Sequence, residues 1–290
     1  MRKPSNGRRA ILLGSALLLG LTSVYAESIR RKFATTENPV LELRTQTGKV
    51  SVTGWDQNEI EIQGESGSDA MEVSIDGSAD KVSIQSHPRR ERMTSEDARV
   101  DLTIQVPRHT DVRLKTDRGQ VSVSNIAGPV LVDGVSTAVA ISGVHGDIAL
   151  KTVDGPIQMI ASLGNITAES ISGDMKFMRV SGASLIANTN SGEISYEGDF
   201  GQGGSYVLNS YSSPIEIIAS RNASFNLTAR SVQGTVQSNL TFRPTPEGIA
   251  FRRLPPGKFL QGRLNSGDAN VEVNSFSGTI RLRGTGTADQ

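Results

Sequence analysis

Between Thr110 and Ser181 apolar and polar positions recur every 18 residues, in four consecutive blocks: TDVRLKTDRGQVSVSNIA, GPVLVDGVSTAVAISGVH, GDIALKTVDGPIQMIASL and GNITAESISGDMKFMRVS. In columns, the third place reads Val112, Val130, Ile148, Ile166 and the fifth Leu114, Val132, Leu150, Ala168. The twelfth reads Val121, Val139, Ile157, Met175 and the fourteenth Val123, Ile141, Met159, Phe177. Apolar residues two apart, twice per block, predict two strands that each turn one face inward. One block cannot bury its apolar face alone, so the blocks must stack. Polar residues Asp117, Ser136, Asp154 and Ser172 stand near one level at the corner, which argues against a hexapeptide β-helix with an aliphatic stack there. The pattern predicts an all-β fold, a stacked β-repeat of the β-helix or solenoid type with about 18 residues and two main strands per coil.

The same alternation extends to both sides. Residues 40–64 read as the first coil of the stack, with breaks at Thr47-Gly48 and Gly54-Trp55-Asp56. Met71 to Ile75 and Lys81 to Gln85 alternate around Asp76-Gly77, a dipeptide suited to a hairpin turn. Residues 86–99 are charged and aperiodic, and predict an exposed loop. VDLTIQV at 100–106 reads as a strand that Pro107 ends, since proline cannot donate into a ladder. Beyond Ser181 the period loosens by about one residue but persists. The expected organisation is an N-terminal β cap over 27–107, a regular stack over 108–242, a Pro/Arg-rich loop over 243–258, and closing strands with a frayed tail over 259–290.

Residues 1–26 stand apart. Arg2, Lys3, Arg8 and Arg9 precede the apolar run Ala10 to Leu21, and Val24-Tyr25-Ala26 offers small residues around a cleavage point. This is the layout of an export signal, its apolar run shorter than the ~20 residues of a membrane-spanning helix; a retained N-terminal anchor is the other reading. No later segment is apolar enough to span a bilayer. The chain has no cysteine, hence no disulfide and no thioether-linked lipid. Its formal charge is zero; without the four N-terminal cations it becomes −4, which argues against nucleic acid as the main partner. Thirty glycines and few aromatics fit many short strands with tight turns.

Gly54-Trp55-Asp56, Ile104-Gln105-Val106-Pro107 and the repeat unit from Leu114 to Val123 together resemble a widespread bacterial family of putative adhesins, β-strand repeats behind a signal peptide or a membrane segment. The likeness covers residues 38–283, and its motif is a strand, a Thr-x-x-Gly corner and a second strand. The resemblance implies an envelope-exposed β scaffold and carries no active site with it.

Candidate chemistry is sparse. His87, His109 and His145 form no metal-like spacing, and the many serines recur at corners, where they suit turns. Stacking brings residues 18 apart side by side: Asp111, Asp147 and Asn165 share the second column, and Asp133, Lys151 and Glu169 the sixth. Repeated acids at corners are oxygen donors of the kind calcium takes, and Gly-Asp equally suits a tight turn. No cofactor is expected, calcium being the one ion these columns could attract. The better interaction candidates are the loop residues that put arginine beside aromatic groups: Arg89, Arg90 and Arg92 with Trp55 in the same half, and Phe251, Arg252 and Arg253. The expectation is a non-enzymatic, exported scaffold or adhesin-like binding protein of the periplasm or cell surface, whose partner is an envelope protein or a glycan. Open strand edges at the ends also permit end-to-end self-association. Two rival readings are a carbohydrate-active β-helix enzyme using stacked carboxylates such as Asp133, Asp154 and Asp174, and an envelope-stress sensor bound to a membrane protein through the two loops.

Overall fold

A computed structural model describes residues 27–90, 94, 96–220, 222–244, 255 and 257–285. The export-signal stretch, most of the segment 243–258 and the last residues of the tail lie outside them.

Each repeat makes two strands that lie on two faces of a solenoid. The first face carries β2 (Val40–Trp55, N-terminal half), β5 (Lys81–Pro88), β7 (Asp111–Ser124, N-terminal half), β8 (Val130–Ser142, N-terminal half), β9 (Ile148–Lys151), β11 (Leu163–Ser170), β13 (Ser181–Thr189), β15 (Ser205–Ser210), β17 (Phe225–Ser231) and β20 (Ala269–Ser275). The second carries the C-terminal halves of β2, β7 and β8 with β6 (Val100–Pro107), β10 (Ile157–Ile160), β12 (Met175–Met178), β14 (Ile194–Gly198), β16 (Ile215–Ala219), β18 (Val236–Ser238) and β21 (Ile280–Gly284). All coil-to-coil pairings are parallel, and Val112↔Val130, Val130↔Ile148 and Ile148↔Ile166 reproduce the 18-residue register. Third, fifth, twelfth and fourteenth columns are buried throughout, as the alternation requires. A further buried column, Ile126, Val144, Ser162 and Val180, lines the return turn.

The stack runs in space as β5/β6, β2, β7, β8, β9/β10, β11/β12, β13/β14, β15/β16, β20/β21 and β17/β18. These ten levels, at about 4.8 Å each, make a body some 45–50 Å long. The order departs from chain order at both ends. β2 lies inside the coil that follows it, and β20/β21, last in the chain, lies between β15/β16 and β17/β18. The outer edges are then covered by antiparallel strands: β3 (Glu59–Ser66) on β6, β1 (Glu27–Ala34) on β3, β4 (Met71–Gly77) on β5, and β19 (Phe259–Leu264) on β17. Covering leaves few open ladders. The β4–β5 hairpin forms as the alternation predicts, its turn falling just beyond Asp76-Gly77, where Ser78 N–H reaches Lys81 O at 2.8 Å.

The corner between the faces determines how coils stack. In the T-x-x-G turns a buried hydroxyl caps the turn: Thr152 Oγ1 donates to Gly155 O at 2.8 Å, and the N–H groups of Gly173 and Gly192 donate to Ser170 Oγ (2.8 Å) and Thr189 Oγ1 (3.0 Å). Hydroxyl capping of the next turn is the ordinary use of Ser and Thr. The fourth residue presses on the backbone of the coil below: a Cβ on Gly155 would lie 1.8 Å from Thr137 O, and one on Gly173 2.1 Å from Gly155 O. The coil holding Gly134 inverts the motif to G-x-x-T. There Thr137 takes the glycine's level, and a Cβ on Gly134 would lie 2.8 Å from the Thr137 Cβ.

Towards the C-terminal end the coil widens: the offset is 18 residues from Ile148 to Ile166, 19 from Ile166 to Leu185 and 21 from Leu185 to Tyr206. The extra residues admit aromatic rings. Phe200 stacks on Tyr196 at 4.7 Å and meets Tyr206 and Phe225 edge-on at 4.8 and 4.6 Å. The Tyr196 hydroxyl lies 2.7 Å from the carbonyl oxygens of Val180 and Asp199, and burial pushes its pKa far up.

Gly155→Ala is expected to cost about 3 kcal/mol or more, because the new methyl meets backbone that cannot yield. Gly203→Ala, at φ 73° with nothing within 4 Å of the added carbon, should cost only about 1–2 kcal/mol of local strain. Denaturant unfolding of the two variants checks the difference.

Candidate functional site

The corner has an outward side. Immediately after the buried hydroxyl of each turn, or after Gly134 in the inverted one, one side chain projects from the edge of the stack. By register these are Asp117, Val135, Val153, Ile171, Asn190, Tyr211, Phe276 and Val232. Most are apolar, yet Val135 (45%), Ile171 (54%), Tyr211 (55%) and Val232 (44%) are substantially exposed. Isolated exposed aliphatics are ordinary; a column of them, interrupted here only by Asn190 between Val135 and Val232, is the kind of surface that marks a binding site. Beside it, the last outward residues of the first-face strands form a second column: Lys115, Asp133, Lys151, Glu169, Asn188, Asn209, Asn274 and Arg230.

Where the two columns run together over the upper coils they enclose a groove of about 580 Å³. Its apolar wall is Ile171, Tyr211, Phe276 and Val232, and the Tyr211 and Phe276 rings stack with centroids 4.9 Å apart and planes within 5°. Its polar wall is an amide ladder: Asn209 Nδ2 donates to Asn188 Oδ1 at 2.8 Å and Asn274 Nδ2 to Asn209 Oδ1 at 3.1 Å. Lys151 and Glu169 lie at one end and Arg230 at the other. The floor is the backbone and the capping hydroxyls of Ser170, Thr189, Ser210 and Ser275. Such a surface can stack a ring and hydrogen-bond its edge. A smaller polar cleft of about 420 Å³ lies between β1, β3 and β6, but its Asp101 already accepts from Arg99 and from the Lys49 N–H.

The loop and Trp55 candidates are dispersed. Trp55 sits at the Glu59 end of β3, its Nε1 donating to Glu59 O at 2.8 Å, beside the Asp56–Arg108 ion pair, where the Arg108 side-chain hydrogen bond holds the Asp56 carboxyl below its usual range. Arg89 and Arg90 lie near the Ser66 end, facing Glu72 (3.6 Å) and Asp69 (3.3 Å). The length of β3, roughly 23 Å, separates the two groups. Arg92, Phe251, Arg252 and Arg253 lie outside the described residues. Stacked carboxylates are engaged individually: Asp147 Oδ1 accepts from Asn165 at 2.9 Å, Asp154 from Ser136 at 3.0 Å, Asp174 from the Glu193 N–H at 2.8 Å, and Asp133 faces Lys115 at 3.6 Å. Among the described residues no three His, Cys, Asp or Glu side chains are grouped as metal ligands, and no helix is long and apolar enough to cross a membrane.

The corner column was within reach of the sequence. Val135, Val153 and Ile171 recur 18 apart in the eighth column, one place before the polar residues of the ninth. Tyr211 and Phe276 each follow a corner serine, but their register depends on the longer coils and on the inserted last coil.

The fold and corner define a β-solenoid with two strands and a hydroxyl-capped corner per coil. The chain belongs to the Toastrack DUF4097 family, whose model matches residues 36–283. No curated protein sequence matches it. Among solved structures, a putative adhesin from Bacteroides fragilis is similar at 11% identity and a TM-score of 0.47, covering 88% of this chain and 97% of its own. A putative lipid binding protein from Parabacteroides distasonis aligns at 10% identity and a TM-score of 0.34, over 91% and 98%. A putative cell adhesion protein from Clostridium sporogenes aligns at 9% and 0.29, over 90% and 100%.

Tyr211→Ala should lose little more than the ring stack, about 0.5–1.5 kcal/mol. Phe177→Ala, emptying a fully buried site, should cost about 3–5 kcal/mol. Equal losses in denaturant unfolding would place Tyr211 in the core rather than on a display surface.

Proposed function

We propose that this chain is a non-enzymatic, exported binding scaffold of the bacterial cell envelope, in the periplasm or at the cell surface, which presents the corner groove to a component of that envelope. One observation carries the reading: the repeat buries every apolar column except the one at the corner, and it keeps that one exposed over successive coils. An apolar side chain left in water at the same place in several coils, as at Val135, Val153, Ile171, Tyr211 and Val232, gains nothing for folding, since burial is what makes such residues stabilising. The export layout of residues 1–26 supports the envelope location, and the solenoid supplies a rigid display on which a linear partner can lie.

The test is co-sedimentation of the purified full chain with isolated bacterial envelope fragments. The triple variant Val153→Ser, Ile171→Ser, Tyr211→Ala should retain its fold and pellet at least about tenfold less readily than the parent chain. Undiminished binding by that variant contradicts the reading. Turnover of a polysaccharide at an enzyme-like rate, abolished by Asp133→Ala, would replace it with the enzymatic one.

A further inference from the structure

We propose that the groove binds an oligosaccharide, one pyranose ring of which sits over Asn190, between Tyr211 and Ile171. The inference rests on the binding-scaffold reading and names the ligand class.

The corner column has a gap. Ile171 and Tyr211 are large, while Asn190, at the level between them, is short and polar. One face of the Tyr211 ring is covered by Phe276; the opposite face looks toward the Asn190 level. Ile171 and Tyr211 are two coil spacings apart, about 9.6 Å. A ring midway lies about 4.8 Å from each, close to the 4.9 Å at which Phe276 stacks on the other face of Tyr211, and it is the polar wall that favours a hydroxylated ring there. A saturated six-membered ring, thickened by its axial hydrogens, fills that slot and offers a C–H face to tyrosine.

The polar wall matches the edge of such a ring. At Asn209 the ladder uses one N–H; a primary amide has two, so a donor is left for a sugar hydroxyl or acetamido carbonyl. The polar column lines the groove from Lys151 to Arg230, five spacings or about 24 Å, so the site accommodates several linked rings rather than a monosaccharide. An acyl chain fits less well, because Asn190 interrupts the apolar wall and amides line the other side.

Isothermal titration of the full chain with chitohexaose and with cellohexaose tests this. Saturable binding of either is expected, weakened at least about tenfold by Tyr211→Ala and by Asn190→Leu, which fills the slot, and kept within about twofold by Tyr211→Phe. Melting temperatures of the variants verify that the loss is local. Failure of both hexasaccharides to bind, or binding indifferent to Asn190→Leu, overturns the proposal. If the envelope co-sedimentation persists in that case, the binding surface stands and only its sugar specificity falls; if both are absent, both readings fall.

Discussion

The fold depends on how closely backbones approach at the corner of each coil. Parallel stacking at one strand spacing leaves no room for a Cβ where one turn sits on the carbonyl of the next, as at Gly155 and Gly173. A second stack of the same kind occurs at the return turn, where a Cβ on Gly164 would lie 1.8 Å from Gly146 O. Two such constraints per coil fix the register of both faces, so each inward column meets its own kind and the core closes. The inverted motif at Gly134 and Thr137 indicates that the corner requires one small residue and one hydroxyl, with some freedom as to which comes first.

That arrangement separates holding the stack together from presenting a surface. Buried hydroxyls and glycines supply the turn, leaving the residue between them unconstrained by packing. Here it is aliphatic in the middle coils, aromatic further up, and polar at Asn190. Coil widening serves the same end: Phe200 and its neighbours fill the larger interior, and the broader coils carry Tyr211 and Phe276 outside. The groove is therefore a product of repetition, with adjacent coils contributing equivalent atoms at regular intervals.

Much of this was legible in the sequence. The buried columns, the two strands per coil, the Thr-x-x-Gly corner and the strand ended by Pro107 all follow from alternation and turn chemistry. Corner polarity was read from Asp117 and the ninth column, which hid the exposed aliphatic column one place earlier. Nor could alternation show that Tyr206 pairs with Val271, across 65 residues, rather than with the next coil in the chain. Any coil with two apolar columns satisfies another, so pattern alone does not choose a neighbour. The inserted order at both ends came only with the strand pairings, and with it the level of Phe276 beside Tyr211.

The central claim, that continuous stacking with β2 and β20–β21 inserted between other coils holds the molecule together, is tested most directly by native-state hydrogen exchange. Amides of β2 and of β20 and β21 should be protected to the level of β8 and β9, and well above those of β1 and β19, although β2 and β20–β21 lie near the chain termini. Exchange graded by distance along the chain, with β20 and β21 opening as readily as β19, would contradict the account.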